Sequence, residues 1–300
     1  FIGEPNTGKS NILESLGMMS FTYADNLSDI IRYEKPANLF YKGTISNNIT
    51  INTQLYAFRL QFLNNSFNGD FGVRESDDRE SYPVINQFSL GLEKNSFGKR
   101  KFKKDFINPI KFYKFKSNFK YNKPELDFIL PPFGENLFSI LYTNSNVHDF
   151  ASNLFSKYGY KILLRTEANE IEILIEDPKL IAFPYTLTSD TLQRIIFYYA
   201  ILETNQESII ILEEPESHIF PFYNEQLALL IANNPNQFFI ATHNPYFLNM
   251  LLNKTASTDL SVFKVTYENY ETKAKPINKS ILQNSIINDN DILLNIDRFN

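Results

Sequence analysis

The sequence predicts an α/β fold: a parallel core sheet that carries an inserted antiparallel β lobe and a helical lobe. Three observations predict it. Gly3-Glu4-Pro5-Asn6-Thr7-Gly8-Lys9-Ser10 is a glycine-bearing loop that empties into Asn11-Ile12-Leu13-Glu14-Ser15-Leu16, where the apolar residues have helical spacing. Ile209-Ile210-Ile211-Leu212 is a continuous apolar run, the pattern of a strand buried on both faces, and it ends in Glu213-Glu214-Pro215-Glu216. Gln237-Phe238-Phe239-Ile240-Ala241-Thr242 is a second strand, with His243 at its tip and an Asn244-Pro245 helix start behind it.

The loop reads G-x-x-x-x-G-K-S, a phosphate-binding signature. Gly3 and Gly8 let the backbone take turns that a Cβ forbids and bring N–H groups close to an anion. Lys9 supplies positive charge for the β- and γ-phosphates, and Ser10 offers a hydroxyl to Mg²⁺. The helix that follows aims its positive end at the same phosphates.

Bulk numbers bound the rest. With 300 residues, 43% of them hydrophobic, the chain can bury a large core as one large or two small domains. A net charge of −5 gives no global drive toward nucleic acid or membrane. The absence of Cys excludes a disulfide framework and a thiolate metal site, and fits a cytoplasmic protein. No apolar run reaches the length of a membrane span. The chain opens at Phe1-Ile2, directly before the loop. Only the last two residues of the strand that feeds the loop are therefore expected here, with an N-terminal strand truncated.

In chain order, the first helix is expected over about residues 11–19, and residues 20–40 are mixed. Residues 41–63 alternate in strand fashion, broken by turns at Asn47-Asn48 and Asn64-Asn65. Residues 68–81 read as a polar loop and 82–92 as another strand, completing an antiparallel β lobe. Residues 99–123 hold ten Lys/Arg against one acid, Asp105, with seven aromatics interleaved. Such a stretch either grips phosphate backbones and stacks bases, through Lys101, Lys103 and Lys104 first of all, or is a solvated lobe edge with aromatics packed inward. Leu130-Pro131-Pro132-Phe133-Gly134 is a rigid turn. Helices are expected from Glu135 and over 147–158, the latter stopped by Gly159. Residues 160–166 and 170–176 read as a hairpin. No heptad pattern or repeat extends far.

The second half carries further chemistry. Carboxylates at the C-terminal tip of a central strand sit where an open α/β sheet binds ligand. The first, Glu213, can hold Mg²⁺ through water. The second, Glu214, can orient or deprotonate an attacking water. His243 is either structural or a hydrogen-bond partner of the γ-phosphate or that water. Residues 186–204 form an amphipathic helix preceded by Thr186-Leu187-Thr188-Ser189-Asp190-Thr191. Ser189 or Asp190 is expected to cap it, and the helix start is either an anion site or an ordinary cap.

Four segments now stand in order: GEPNTGKSN, LTSDTLQR, IIILEEPESHIFP and IATHNPYFL. Together they resemble the P-loop, ATP-binding-cassette-type ATPase heads of the SMC/RecF/OLD group, the compact AAA-family ATPases of bacteria. The resemblance covers 1–20 and 185–250 strongly and the rest weakly. It implies a single head over 1–300. Its nucleotide core would be 1–20 and 185–250, with an inserted β and basic lobe at 41–125, a helical and hairpin lobe at 130–180, and an extension at 254–300. It implies Mg²⁺ and ATP as ligands. Gly3, Glu4, Pro5, Asn6, Thr7, Gly8, Lys9, Ser10 and Asn11 would form the nucleotide loop, and Ser10 and Glu213 would hold the metal. Glu214 would be the catalytic base and His243 the switch histidine. Ser189, Asp190 and Thr191 would be a signature acting in trans, which implies a head-to-tail homodimer sandwiching ATP.

Three departures stand out. The Walker B acid is Glu213 where Asp is usual. The signature lacks its glycine, since Asp190-Thr191 follows Ser189 directly. The Mg²⁺-sensing glutamine is not assigned; Gln54 and Gln87 are its candidates. The function expected is Mg·ATP binding and hydrolysis serving DNA maintenance or phage defence, with an effector protein or nucleic acid as further partners. The alternative is an ATP-gated module that holds or releases an effector with incidental turnover. A small-molecule kinase leaves Ser189 and His243 without a role.

Overall fold

The computed structural model describes residues 1–74, 82–93, 96–117, 120–121, 126–278 and 282. Of the polar loop expected over 68–81, residues 68–73 instead belong to the strand Ser66–Val73 and residues 75–81 lie outside the described residues, as does nearly all of the tail beyond 278. The chain divides into two units, Ser10–Phe112 and Phe1–Lys9 with Tyr113–Asn300.

In the first unit, Lys9–Met18 forms helix α1, ten residues in length. Its inner face buries Leu13 and Met18, and Gly17 lets the Phe112 ring approach to where a Cβ would stand. Short 3₁₀ turns follow to residue 43. Then come Ile49–Asn52 (β1), Tyr56–Leu63 (β2), Ser66–Val73 (β3), Val84–Leu90 (β4) and Phe97–Lys101 (β5), an antiparallel meander in that spatial order. The expected β lobe is therefore present. The β2–β3 turn is Asn64-Asn65, both with positive φ (52° and 61°), as a two-residue hairpin turn requires. Strand period puts Phe67, Gly69 and Phe71 on one face of β3. Gly69 pairs with Phe88, and a Cβ there would stand 2.2 Å from that ring. Phe21, Phe58, Phe67, Phe71 and Phe88 form the aromatic centre of this unit, each almost wholly buried. Ile110–Tyr113 (β6) is buried along its length, and the chain passes into the second unit within it.

The second unit continues with Leu137–Thr143 (α2) and Ser145–Ser156 (α3), followed by Gly159 at φ 76°. Tyr160–Arg165 (β7), Glu170–Glu176 (β8) and Leu180–Pro184 (β9) form an antiparallel sheet. The expected hairpin thus gains a third strand, one whose burial pattern is too exposed to have marked it in the sequence. Asp190–Thr204 (α4), Ile209–Glu213 (β10), Pro221–Ala232 (α5), Gln237–Ala241 (β11) and Pro245–Lys254 (α6) build the core, and Phe263–Glu268 (β12) and Glu271–Pro276 (β13) close it. Helix α4 begins four residues later than its apolar pattern suggested, because Tyr185–Leu187 forms a separate 3₁₀ turn.

β10 and β11 pair in parallel from Ile209 opposite Gln237 to Glu213 opposite Ala241. Phe1-Ile2 lies beside β11 on one side and β12 on the other. The Phe1 amine donates to Ile240 O (2.6 Å), and Thr242 N–H to Phe1 O (3.2 Å). Ile2 N–H donates to Phe263 O (2.9 Å), and Val265 N–H to Ile2 O (2.8 Å). The loop therefore leaves a strand end held on both edges, with Ile2 fully buried. Ile195, Ile196, Ala200 and Ile201 of α4 pack with Ile210, Leu212, Leu227 and Phe247 in the main core. This apolar mass sets the tips of β10 and β11 in a fixed frame beside the loop.

Candidate functional site

The loop is wound tightly. Asn6 and Gly8 have positive φ (62° and 95°), and an added Cβ on Gly3 would stand 2.5 Å from Val265 O. A Cβ on Gly8 would stand 2.2 Å from Thr272 Oγ1. Close approach demands both glycines, and at Gly8 the backbone conformation does so as well. Thr272, on β13, also donates its hydroxyl to Thr7 O at 3.1 Å. Glu4, Pro5 and Asn6 are exposed. Lys9 is 4% exposed, and its ammonium donates to Gly3 O (2.8 Å) and Glu4 O (2.6 Å). Burial lowers its pKa, while the nearby Glu214 and Glu4 charges pull it back up. Ser10 and Asn11 follow in the first turn of α1.

Glu213 ends β10, and Glu214 turns sharply after it at φ 43°. A non-glycine residue in that region is strained and persists only when its surroundings over-determine it. Here Glu214 N–H donates to Ala241 O (2.9 Å) and Ser217 N–H donates to Glu214 O (3.0 Å). Glu214 Oε1 lies 3.6 Å from His243 Nε2, and its Oε2 accepts the Ser217 hydroxyl at 3.1 Å. Both side chains remain a little under half exposed, so a ligand can reach them. Burial and then the Lys9 charge lower the His243 pKa, and Glu214 and Glu213 oppose them. The imidazole is thus neutral at pH 7, with one nitrogen to donate and one to accept. Lys9, Glu213, Glu214 and His243 lie within electrostatic reach of one another.

Glu216, three residues beyond Glu213, is 4% exposed. It accepts the hydroxyl of Thr242 through Oε1, while Oε2 has no hydrogen-bond partner. Burial pushes its carboxyl up from 4.5 to about 7, with the Thr242 hydroxyl pulling the other way. The folded chain therefore keeps a proton that the unfolded chain releases above pH 4.5. Stability from this group is complete below pH 4.5 and is lost as pH rises through about 7. The whole change is about 3 kcal/mol. Glu216→Gln is expected to remove that slope. Urea melts at pH 5 and pH 7.5 check it: wild type should be more stable at pH 5 by an amount the variant lacks.

Ser189 occupies the N-cap position of α4, but its side chain makes no capping bond. Asp190 does not cap either; its carboxylate holds Arg194 Nε at 2.6 Å, one turn on. The expected side-chain cap is thus corrected: the i,i+4 ion pair takes the acid, and Ser189 is left exposed at the helix start. Thr191 donates its hydroxyl to His218 O (3.0 Å), tying this segment to the turn after Glu216. Arg194 also lies over the Phe115 ring, 4.4 Å from its centroid.

The basic stretch does not act as one face. Lys101 ends β5, and Lys103 and Lys104 follow it, all exposed. Arg100 is exposed but held by the protein: it donates to Ala24 O (2.9 Å) and lies 4.9 Å over the Phe97 ring. Lys111 is buried on β6, where burial lowers its pKa to about 8, and Phe112 beside it is fully buried. Phe119 and Lys123 lie outside the described residues.

Residues that sequence reasoning missed are Thr272, Thr242 and the buried role of Glu216. Thr272 lies 265 positions from Thr7, and no local pattern marks such a contact. The EPE spacing did hold a signal for Glu216, since a third acid after a buried strand has few places to go. Among the described residues no cluster of three or more His, Asp or Glu is set to hold a metal ion. The donor set fits Mg²⁺ all the same, which takes one or two hard protein oxygens and fills its other positions with substrate phosphates and water. Among the described residues no helix is long and apolar enough to cross a membrane.

A family model described as "AAA domain, putative AbiEii toxin, Type IV TA system" matches residues 1–249. No curated protein matches the chain. Among solved structures, the chain is similar to an SMC head bound to the C-winged helix domain of ScpA. That match is 12% identical over 94% of this chain and 90% of that one, with a TM-score of 0.49. It is also similar to the SMC head domain from Thermotoga maritima, at 15% identity over 92% of this chain and 89% of that one, with a TM-score of 0.37. Since the family model spans well over half of the sequence, the chain belongs to this AAA-domain family, whose P-loop ATPase fold it shares.

Proposed function

We propose that the chain binds Mg·ATP and hydrolyses it slowly, in a head-to-tail pair of heads that sandwiches two nucleotides. The observation that carries this reading is the meeting of Glu214 and His243 at 3.6 Å, within electrostatic reach of the buried Lys9. Gly3 to Gly8 present backbone N–H groups to the phosphates, and the Lys9 ammonium, held by the loop's own carbonyls, is in place to meet the β- and γ-phosphates. Ser10 and Glu213 would hold Mg²⁺, which when bound neutralises charge on the phosphate oxygens. Glu214 orients a water and takes its proton as the water attacks the γ-phosphorus. His243, neutral at pH 7, donates to the γ-phosphate. The exposed Ser189 and Asp190, with the half-buried Thr191 behind them, would face the partner's nucleotide, and two composite sites would result.

The cycle serves phage defence or DNA maintenance, with an effector protein switched by the nucleotide state. The family's description as a toxin supports the second reading, in which closure of the pair holds or releases an effector and turnover is incidental. Nucleic acid is a further partner on this proposal, met by Lys101, Lys103 and Lys104 where β5 ends. ATP turnover measured against protein concentration tests the paired site. Specific activity is expected to rise with concentration, and Ser189→Arg to abolish that rise. Flat activity, with the arginine variant unaffected, would make Ser189 an ordinary helix start and sink the composite site.

A further inference from the structure

The tips of β10 and β11 are joined by a contact that no phosphate-handling residue makes. Glu216 Oε1 accepts the Thr242 hydroxyl. Thr242 Oγ1 in turn accepts the Asn244 N–H at 3.0 Å, and Asn244 Oδ1 accepts the N–H groups of Tyr246 and Phe247 at 2.9 and 3.2 Å. His243 therefore hangs between two residues whose bonds lead back to Glu216. Glu214 stands on the other strand tip, in a turn whose next members, Pro215 and Glu216, are buried. Both halves of the 3.6 Å contact are thus carried on backbone joined through one carboxyl as well as by the Glu214 N–H bond to Ala241 O.

The clamp extends behind the site. Tyr198, on α4, is buried within electrostatic reach of Arg194 first of all, and then of Glu216 and Asp190. Thr191 adds a second link from the same helix start, through His218 O. The carboxyl is a poor choice for stability. It is buried with one oxygen unsatisfied, which costs folding free energy that an apolar side chain would not. A residue with that cost calls for a role beyond packing.

We infer that Glu216 is a positioning residue for hydrolysis, which acts through Thr242 to set His243 against Glu214. The inference rests on the ATPase reading above. A valine at position 242 keeps the volume but loses the hydroxyl, whereas a serine keeps the hydroxyl. A leucine at position 216 removes the acceptor. A displacement of about 1 Å at reacting groups costs up to roughly a hundredfold in rate.

ATP hydrolysis is therefore compared among wild type, Thr242→Ser, Thr242→Val, Glu216→Leu and the Thr242→Val, Glu216→Leu pair, with thermal unfolding of each. Thr242→Val is expected to lower kcat by at least about tenfold with the KM for ATP within about twofold, since phosphate binding is carried by the loop. Thr242→Ser restores most of the rate. The pair falls no further than its worse member, because both changes break one link. The inference is overturned if Thr242→Val keeps kcat within about threefold of wild type. It is equally overturned if kcat and unfolding temperature fall together and serine rescues neither. If wild type turns over ATP while these outcomes occur, the ATPase reading survives and only the role of Glu216 fails. If wild type binds ATP but hydrolyses none, both fall.

Discussion

Lys9→Met is expected to remove nucleotide binding while leaving the fold in place. The Lys9 side chain is almost fully buried, and its ammonium is shared between Gly3 O and Glu4 O. Methionine keeps the apolar stem that packs against the loop and removes only the charge. In the nucleotide-free chain two opposing effects then cancel in part. Two charge-assisted hydrogen bonds are lost, and so is the desolvation of an ammonium that burial already disfavours. With a phosphate bound there is no such cancellation, because the anion is left desolvated without its counter-charge. Truncating one partner of a buried charge pair costs about 2–5 kcal/mol. That corresponds to a loss of affinity of roughly thirtyfold to several thousandfold. Titration calorimetry with ATP measures it, alongside thermal unfolding without nucleotide. Binding within about fivefold of wild type would mean that Lys9 serves the loop's own carbonyls and no ligand.

Glu214→Gln should separate binding from chemistry. The residue sits at φ 43°, pinned by its N–H bond to Ala241 O and by the Ser217 N–H on its carbonyl. Glutamine has the same shape and can still accept the Ser217 hydroxyl, so the strained turn is preserved. What disappears is the ability to take a proton from water. General-base catalysis is worth about 10²–10⁴ in rate, and kcat should fall by that factor with the KM for ATP little changed. Because binding is intact and turnover is not, ATP-bound pairs should accumulate. Sizing by light scattering with ATP would read a larger paired fraction than in wild type. A variant that keeps more than about a tenth of the wild-type rate would remove Glu214 from the role of base. A variant that stops turnover without accumulating pairs would keep the base and sink the sandwich.

The elements that announced themselves did so through local signals. The loop at 3–10 is a string of consecutive residue types, and the glycines at 3 and 8 meet the close approaches that the structure contains. The run 209–212 is apolar because both faces of β10 are covered, so its burial is written in four consecutive letters. The Asn64-Asn65 turn follows from the few residues that tolerate positive φ. By contrast, β9 escaped notice because its residues are mostly exposed and carry no alternation. The cap of α4 was misjudged because Asp190 had a rival partner, Arg194, four residues along the same helix. Within the charge run at 99–123, Lys111 lies on a strand buried along its whole length, and Arg100, though exposed, is tied to Ala24 O, partners that no local pattern records.

By itself, then, the sequence determined the α/β class, the phosphate loop, the two acid-bearing and histidine-bearing strand tips, and the family to which they point. Each is carried by short runs of adjacent residues, where backbone preference and hydrophobic period act directly. Only the tertiary structure decided that Glu214 meets His243, that Thr272 closes on Gly8, and that Glu216 turns inward to Thr242. Those pairs lie 26 or more positions apart, and a side chain's partner at that range is set by how the sheet stacks its strands. The packed core of α4, β10 and β11 makes that choice, and local sequence holds no record of it.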